Sequence, residues 1–306
     1  MYINEKNISR LCLGTAGFGG GVDEDTSFRL IDTYLSLGGN TLDTARVYGN
    51  SEATIGKYLC LRRCRENIIL ATKGAHYDTA TKQKRVSARD IEYDVELSLK
   101  NLKTDYVDIY WLHRDDEDIP AGEIVEMTAP LVKSGKALSL GVSNWKADRI
   151  KAANDYAKAH GLPEYITSQI KHSAAITVSE NDPTILALDD YSRPFYAKEK
   201  IPIFAFTSQA RGFFSKLERL GVDSLGDGIK REFFCDENLR RYDEIRKLSL
   251  ELDRPVSQIA LAAITCDPEL EIIPIIGGKT PEQIADSMRS LEIKLTKDQF
   301  SQIMKG

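Results

Sequence analysis

The sequence predicts an α/β fold, a single (β/α)8 TIM barrel over residues 1–306, and two observations carry that prediction. Short apolar runs alternate eight times with stretches of helical spacing, as parallel strands joined by helical crossovers require. The chain also lacks linkers, low-complexity tracts and sequence-level repeats, and its 306 residues suit one α/β barrel. A doubly wound open sheet is the alternative, but eight units close a barrel.

A short N-terminal strand or hairpin is expected first. The strand over residues 8–14 then opens into T-A-G-F-G-G-G, whose glycines at 14, 17, 19, 20 and 21 do not fit G-x-G-x-x-G at a helix start. Any nucleotide bound here is held in another way. Residues 25–37 show helical spacing through Phe28, Leu30, Ile31, Tyr34 and Leu35 and stop at Gly38-Gly39. The strand carrying Asp43 follows, then a helix over 51–61 with Ser51 as N-cap. Residues 67–73 form a buried strand ending in Lys73. Ser87 and Asp90 make a capping-box-like start to a helix over 87–102. The strand 107–112 ends in His113, 124–133 is helical despite Pro130, and the strand 137–142 ends in Ser143-Asn144. Then come a helix (147–160), a strand containing Gln169 (165–170), and a helix (185–198) kinked at Pro194. A seventh strand (202–206) leads into a long glycine-containing segment (207–236). Helices at 237–252 and 257–265, a strand at 271–275 and a helix at 281–291 capped by Thr280 complete the set.

A net charge of −5 gives no footprint for nucleic acid or an anionic membrane. The basic clusters at 82–85 and at Arg62, Arg63 and Arg65 lie beside acids and read as solvated faces. The cysteines, at 12, 60, 64, 235 and 266, form no C-x-x-C and no common zinc spacing. Cys60 and Cys64, four apart, read as buried small hydrophobes rather than a metal pair. No signal peptide and no bilayer-spanning apolar run is legible, so the cytoplasm is the expected location, and no metal is expected.

The polar residues at strand ends carry the chemistry. Asp43, Lys73, His113, Ser143, Asn144 and Gln169 fall at or near strand C-termini, where such a barrel places its site. Tyr48 lies five residues beyond Asp43 in N-T-L-D-T-A-R-V-Y-G-N-S-E. A phenol is a poor acid near neutrality, with an unperturbed pKa of about 10, unless a cation stabilises its anion. Lys73 supplies that cation and Asp43 steadies it, while His113 orients a carbonyl. This apparatus protonates an oxygen while something else attacks the carbon. Without a nucleophile elbow or metal cluster, the attacking species is a hydride from a cofactor.

The chain here resembles the aldo-keto reductase family, through L-D-T-A-x-x-Y-G around Asp43 and Tyr48, T-K-G around Lys73, W-L-H-R around His113 and G-V-S-N at 141–144. The resemblance runs from Leu11-Cys-Leu-Gly-Thr15 to Gly277-Gly-Lys-Thr-Pro-Glu-Gln283. It implies a (β/α)8 barrel that binds NADPH across the strand ends and reduces aldehydes or ketones. Tyr48 is then the general acid, Lys73 and Asp43 its tuning pair, and His113 the carbonyl-orienting residue.

The resemblance also implies a cofactor set. Gly14, Thr15 and Asp43 join it, with Ser143, Asn144 and Gln169 on the nicotinamide carboxamide. Phe206 stacks on the nicotinamide ring where the family usually has tyrosine. Thr207, Ser208, Gln209 and Gly212 face the pyrophosphate, although the usual Ser-Pro-Leu is replaced. Gly277 opens the final helix, whose N-terminus favours an anion. Lys279 and Thr280 are then candidates for the adenosine 2′-phosphate, favouring NADPH over NADH. Gln283, Asp286 and Ser287 reach the adenosine, Ser287 standing where asparagine is usual.

Substrate contacts are expected from Tyr48, His113, Trp145 and Phe18, within a rim that includes residues 15–21, His76, Tyr77, 114–118 and 207–236. His172, just past the sixth strand, is either bonded to backbone or part of that rim. Many relatives have a longer C-terminal loop over the substrate, so the end of this chain predicts an open pocket. Acids and histidines around it suit a polyhydroxylated carbonyl. Two other readings share these residues: a redox-sensing NADPH-binding subunit of slow turnover, and a lyase or isomerase using Lys73 as a Schiff base.

Overall fold

The computed structural model describes residues 2–3 and 6–305. Eight parallel strands close a barrel: β1 (Cys12–Gly14), β2 (Thr41–Asp43), β3 (Ile69–Gly74), β4 (Val107–Leu112), β5 (Ala137–Ser143), β6 (Tyr165–Lys171), β7 (Ile203–Phe206) and β8 (Ile272–Ile276). Each pairs with its neighbours in chain order, and β8 pairs with β1. The crossovers carry α1 (Glu24–Ser36), α2 (Ser51–Arg62), α3 (Ala88–Leu102), α4 (Ala121–Lys133), α5 (Ala147–His160) and α6 (Arg193–Glu199). After β7 come α7 (Phe213–Leu220), α8 (Asp227–Phe233), α9 (Asp236–Leu252) and α10 (Val256–Thr265); after β8, α11 (Pro281–Arg289) and α12 (Lys297–Met304). A hairpin pairs Tyr2–Ile3 with Lys6–Asn7, as expected, and its turn residues 4–5 lie outside the described residues.

The two-residue period of a strand sorts the core into two layers. Ile69, Ala71, Ile109, Trp111, Phe204 and Ile273 form one buried cluster with Ile3 of the hairpin and Ile8 just after it. Leu70, Tyr110, Leu112 and Leu140, on the opposite faces, pack with helix residues such as Ile55, Val95 and Ile124. Trp111 stands in register with Gly141, where a Cβ would come within 2.5 Å of its ring. The absent side chain on β5 admits the indole. Continuing the row Ile69, Ala71 brings Lys73 to the barrel mouth, and Ile109, Trp111 bring His113 there.

Other elements differ from expectation. Among the described residues, only Arg193–Glu199 is helical between 185 and 198. Pro194 sits in its first turn, where a missing N–H is no loss, so it starts the helix rather than kinking it. Residues 172–192 instead fold onto the barrel mouth. Leu186 donates its N–H to Asn144 Oδ1 (3.1 Å), and the Lys171 N–H reaches the Leu186 carbonyl (2.9 Å). The long segment after β7 is present and carries α7 and α8.

Ser51 is the first residue of α2, not its cap, and its buried hydroxyl bonds Thr15 and Thr44 at the ends of β1 and β2. Cys60 is exposed and Cys64 lies beyond the end of α2, so they do not share a buried face. All five cysteines are free, and the described residues hold no group of three or more His, Cys, Asp or Glu placed to bind a metal. No described helix is long and apolar enough to cross a membrane.

Candidate active site

The strand ends bring the four chemistry-bearing residues together. Lys73 Nζ donates to Asp43 Oδ2 (2.5 Å) and to the Thr44 carbonyl (2.8 Å), and lies 3.4 Å from Tyr48 Oη. Gln169 Nε2 donates to the other Asp43 oxygen (2.9 Å), so the carboxylate is held from two sides. Burial opposes the charge of Lys73, but Asp43 and Tyr48 more than offset it, and its pKa is raised. Behind it, Ala75 adopts a left-handed conformation (φ 58°), its N–H held by the buried Asp94 (2.9 Å), which Arg85 grips through both oxygens. That clamp fixes the end of β3.

His113 follows β4, with its ring edge-on to Tyr48 at 5.9 Å between centroids. Its Nδ1 is buried without a partner among the described residues. Burial first, then the charges of Lys73, Arg114 and His76, push its pKa well below the ordinary histidine value. The ring is therefore neutral near neutrality, and a neutral imidazole donates through one nitrogen only.

A cleft of about 1170 Å³ runs from these residues across the barrel mouth. Near its inner end lie Gly14, Thr15, Phe18, Asp43, Tyr48 and His113; Ser143, Asn144, Gln169 and Phe206 form a polar and aromatic wall. Thr207, Ser208, Gln209 and Gly212 follow, and Gly277, Lys279, Gln283, Asp286 and Ser287 complete it. Several of these side chains bond one another. Gln209 bridges the cleft, donating to Ser287 Oγ (3.0 Å) and accepting from the Gly277 N–H (3.0 Å). Gln283 Oε1 accepts from the Lys279 N–H (2.7 Å), and Asp286 accepts from Ser257 and Gln258.

Two candidates fall elsewhere. Trp145 is buried in the core, against Tyr165 and under Arg149, and does not line the cleft. The left-handed turn at Asn144 (φ 58°) swings the following residue away from the mouth. Thr280 caps α11, accepting from the Gln283 N–H, and is not part of the lining.

His172 is also outside the cleft, and neither of its sequence readings describes it: Nε2 is enclosed without a partner among the described residues. Burial pushes its pKa down to about 4. The unfolded chain, with a histidine pKa near 6.5, binds the proton more readily in that window. Stability is therefore fully present above about pH 6.5 and falls as the pH drops toward 4, by at most about 3 kcal/mol. Urea denaturation between pH 7 and 4.5 should show this slope in wild type and a shallower one in His172→Leu.

The sequence reading missed the cations of the segment after β7. Arg211, Lys216 and Arg219 line the cleft as Lys279 does, Lys216 and Arg219 one turn apart on α7 and Arg211 paired with Glu232 (3.0 Å). Their i, i+3 spacing was a legible sign. The backbone leading to them is strained, with Thr207, Ala210, Arg211 and Gly212 all at positive φ. Such strain persists where the surroundings enforce it and clusters at ligand sites. Amide and hydroxyl groups beside Asp43, Tyr48, Lys73 and His113, an aromatic face, and four cations in the lining, with Lys279 next to the N-terminus of α11, fit a long ligand with a planar amide head and an anionic tail.

The family model described as the aldo/keto reductase family matches residues 10–305. Norsolorinic acid reductase A of Aspergillus parasiticus is 28% identical over 97% of this chain and 77% of its own. An uncharacterized oxidoreductase of Bacillus subtilis, YrpG, is 30% identical over 95% and 90%. An aryl-alcohol dehydrogenase of Pestalotiopsis microspora is 28% identical over 98% and 79%.

Proposed function

This chain belongs to the aldo/keto reductase family of oxidoreductases, which generally use nicotinamide cofactors, and from that premise we propose that it reduces an aldehyde or ketone with NADPH. The observation that carries the reading is the buried chain of contacts from Gln169 through Asp43 and Lys73 to Tyr48, ending beside a neutral His113. His113 donates a hydrogen bond to the carbonyl oxygen and turns it toward Tyr48. Tyr48 gives that oxygen its proton, and the Lys73 ammonium stabilises the negative charge that develops on Oη. Asp43 holds the ammonium in place, and Gln169 holds Asp43. A bound nicotinamide supplies the hydride.

Ser143, Asn144 and Phe206 line the wall proposed for the nicotinamide, and Gln209, Arg211 and Gly212 the course of the pyrophosphate. Lys279, Lys216 and Arg219 support the 2′-phosphate of NADPH, while the acids of the same lining are engaged, Glu282 by the Thr280 side chain and Asp286 by Ser257 and Gln258. Lys279→Met is expected to raise the NADPH KM about tenfold, by loss of one charge-assisted contact, and to leave the NADH KM within about twofold. Initial rates with both cofactors decide this, and equal changes in the two would exclude a 2′-phosphate role.

The substrate proposal is a polar carbonyl compound of the sugar or polyol type, supported by His76 and His113 in the cleft lining. Relatives named for norsolorinic acid and aryl alcohols support an aromatic carbonyl as a second reading. A panel of aldoses, ketoses and aryl aldehydes with NADPH separates them: higher kcat/KM for every aryl aldehyde than for any sugar or polyol carbonyl removes the first.

A further inference from the structure

The cleft holds a second histidine that the tetrad leaves unused. His76, just beyond β3, is buried, lines the cleft, and sets its ring edge-on to His113 at 4.7 Å between centroids. With Tyr48 on the other side of His113, three rings follow one another along one wall. His76 Nδ1 lies 2.8 Å from the Tyr77 carbonyl oxygen. A carbonyl only accepts, so Nδ1 carries the proton and Nε2 of the neutral ring is an acceptor. Nε2 has no hydrogen-bond partner among the described residues. Burial, with the charge of Arg114, also holds the His76 pKa below the ordinary value.

The setting fixes that ring. Tyr77 Oη donates to Asp182 (2.9 Å), and Arg114 donates to Thr184 (2.7 Å), to Asp182 (3.2 Å) and to the His113 carbonyl (2.8 Å). The loop over residues 172–192 thereby clamps the chain on both sides of the histidine pair. Arg114 is committed to these partners, which leaves the acceptor on His76 to meet a substrate donor.

We propose that His76 is a specificity-determining residue whose Nε2 accepts a hydrogen bond from a hydroxyl on the carbon next to the reacting carbonyl, so that α-hydroxy aldehydes and ketones are the preferred substrate class. The inference rests on the carbonyl-reductase reading and deepens it. With the carbonyl oxygen between Tyr48 and His113, the next ring along the wall faces a substituent on the adjacent carbon. A substrate with a methyl group there leaves a buried acceptor unpaired, which selects against it. The aromatic and polyol readings are both compatible, since the hydroxyl and not the rest of the molecule is recognised.

The test compares kcat/KM with NADPH for two pairs that exchange only hydroxyl for methyl: glycolaldehyde against propanal, and 2-hydroxyacetophenone against propiophenone. Wild type should prefer the hydroxylated member of a pair by about tenfold or more. His76→Leu should bring the ratio to within about threefold of unity, and His76→Gln, whose Oε1 can accept in place of Nε2, should restore most of it. The ratio is the readout because any disturbance of His113 acts on both members. A preference that survives in His76→Leu, or none in wild type while propanal and propiophenone turn over, overturns the inference and leaves the reductase standing. Absence of turnover with all four compounds and the broader panel sinks both.

Discussion

Tyr48→Phe is expected to lower kcat for carbonyl reduction about 10³-fold, the scale of a lost general acid, while NADPH still binds within about threefold of the wild-type Kd. Only a hydroxyl disappears, and among the described residues its one hydrogen bond is the 3.4 Å contact with Lys73 Nζ. Stability should therefore change by less than about 1 kcal/mol. Steady-state rates, cofactor fluorescence titration and urea denaturation on the same preparation check all three. Retained turnover would take the proton-donor role from Tyr48. Firm NADPH binding by wild type with no turnover on any carbonyl would instead favour a redox-sensing subunit.

Lys73→Met should damage both activity and folding. The substitution removes the cation facing Tyr48 and leaves Asp43 as a buried carboxylate whose remaining side-chain donor among the described residues is Gln169. Breaking a buried pair on one side destabilises by about 3–5 kcal/mol, because the remaining charge is uncompensated. Adding Asp43→Leu should recover much of the stability and none of the activity. Urea denaturation of wild type and both variants at pH 7 is the measurement, and a double variant no more stable than Lys73→Met argues against the unpaired carboxylate as the cause of the deficit.

The barrel was legible because its strands are apolar runs closed by polar residues, and each polar residue that continues an interior row arrives at the mouth. Asp43, Lys73 and His113 follow from that rule alone. Residues 185–198 misled because Ile185, Leu186 and Leu188 have helical spacing, yet the Lys171 strand end captures their backbone before a helix can form. Trp145 misled because adjacency in sequence to Ser143 and Asn144 says nothing about the turn between them, and a left-handed residue reverses direction. The start of α12 was readable and went unread: Thr296 and Gln299 form a reciprocal cap. The clamp by Arg114 and Asp182 was not readable, since it joins residues whose separation only the closed barrel cancels.

Closure also has a temporal meaning. The barrel is sealed where Ile275 and Ile276 lie beside Cys12 and Leu13, which is the pairing with the greatest separation along the chain. Contacts of such separation form late in folding, after the loop entropy between them has been overcome. Gly14 and Thr15 on one side of that seam and Gly277 to Ser287 on the other line the same cleft, so the cleft does not exist until the seam does. A dinucleotide lying along it would act as a suture between the earliest and latest strands, adding about 2.7 kcal/mol at a hundredfold excess over Kd. Cofactor supply would then govern how often the barrel comes undone as well as how fast it works.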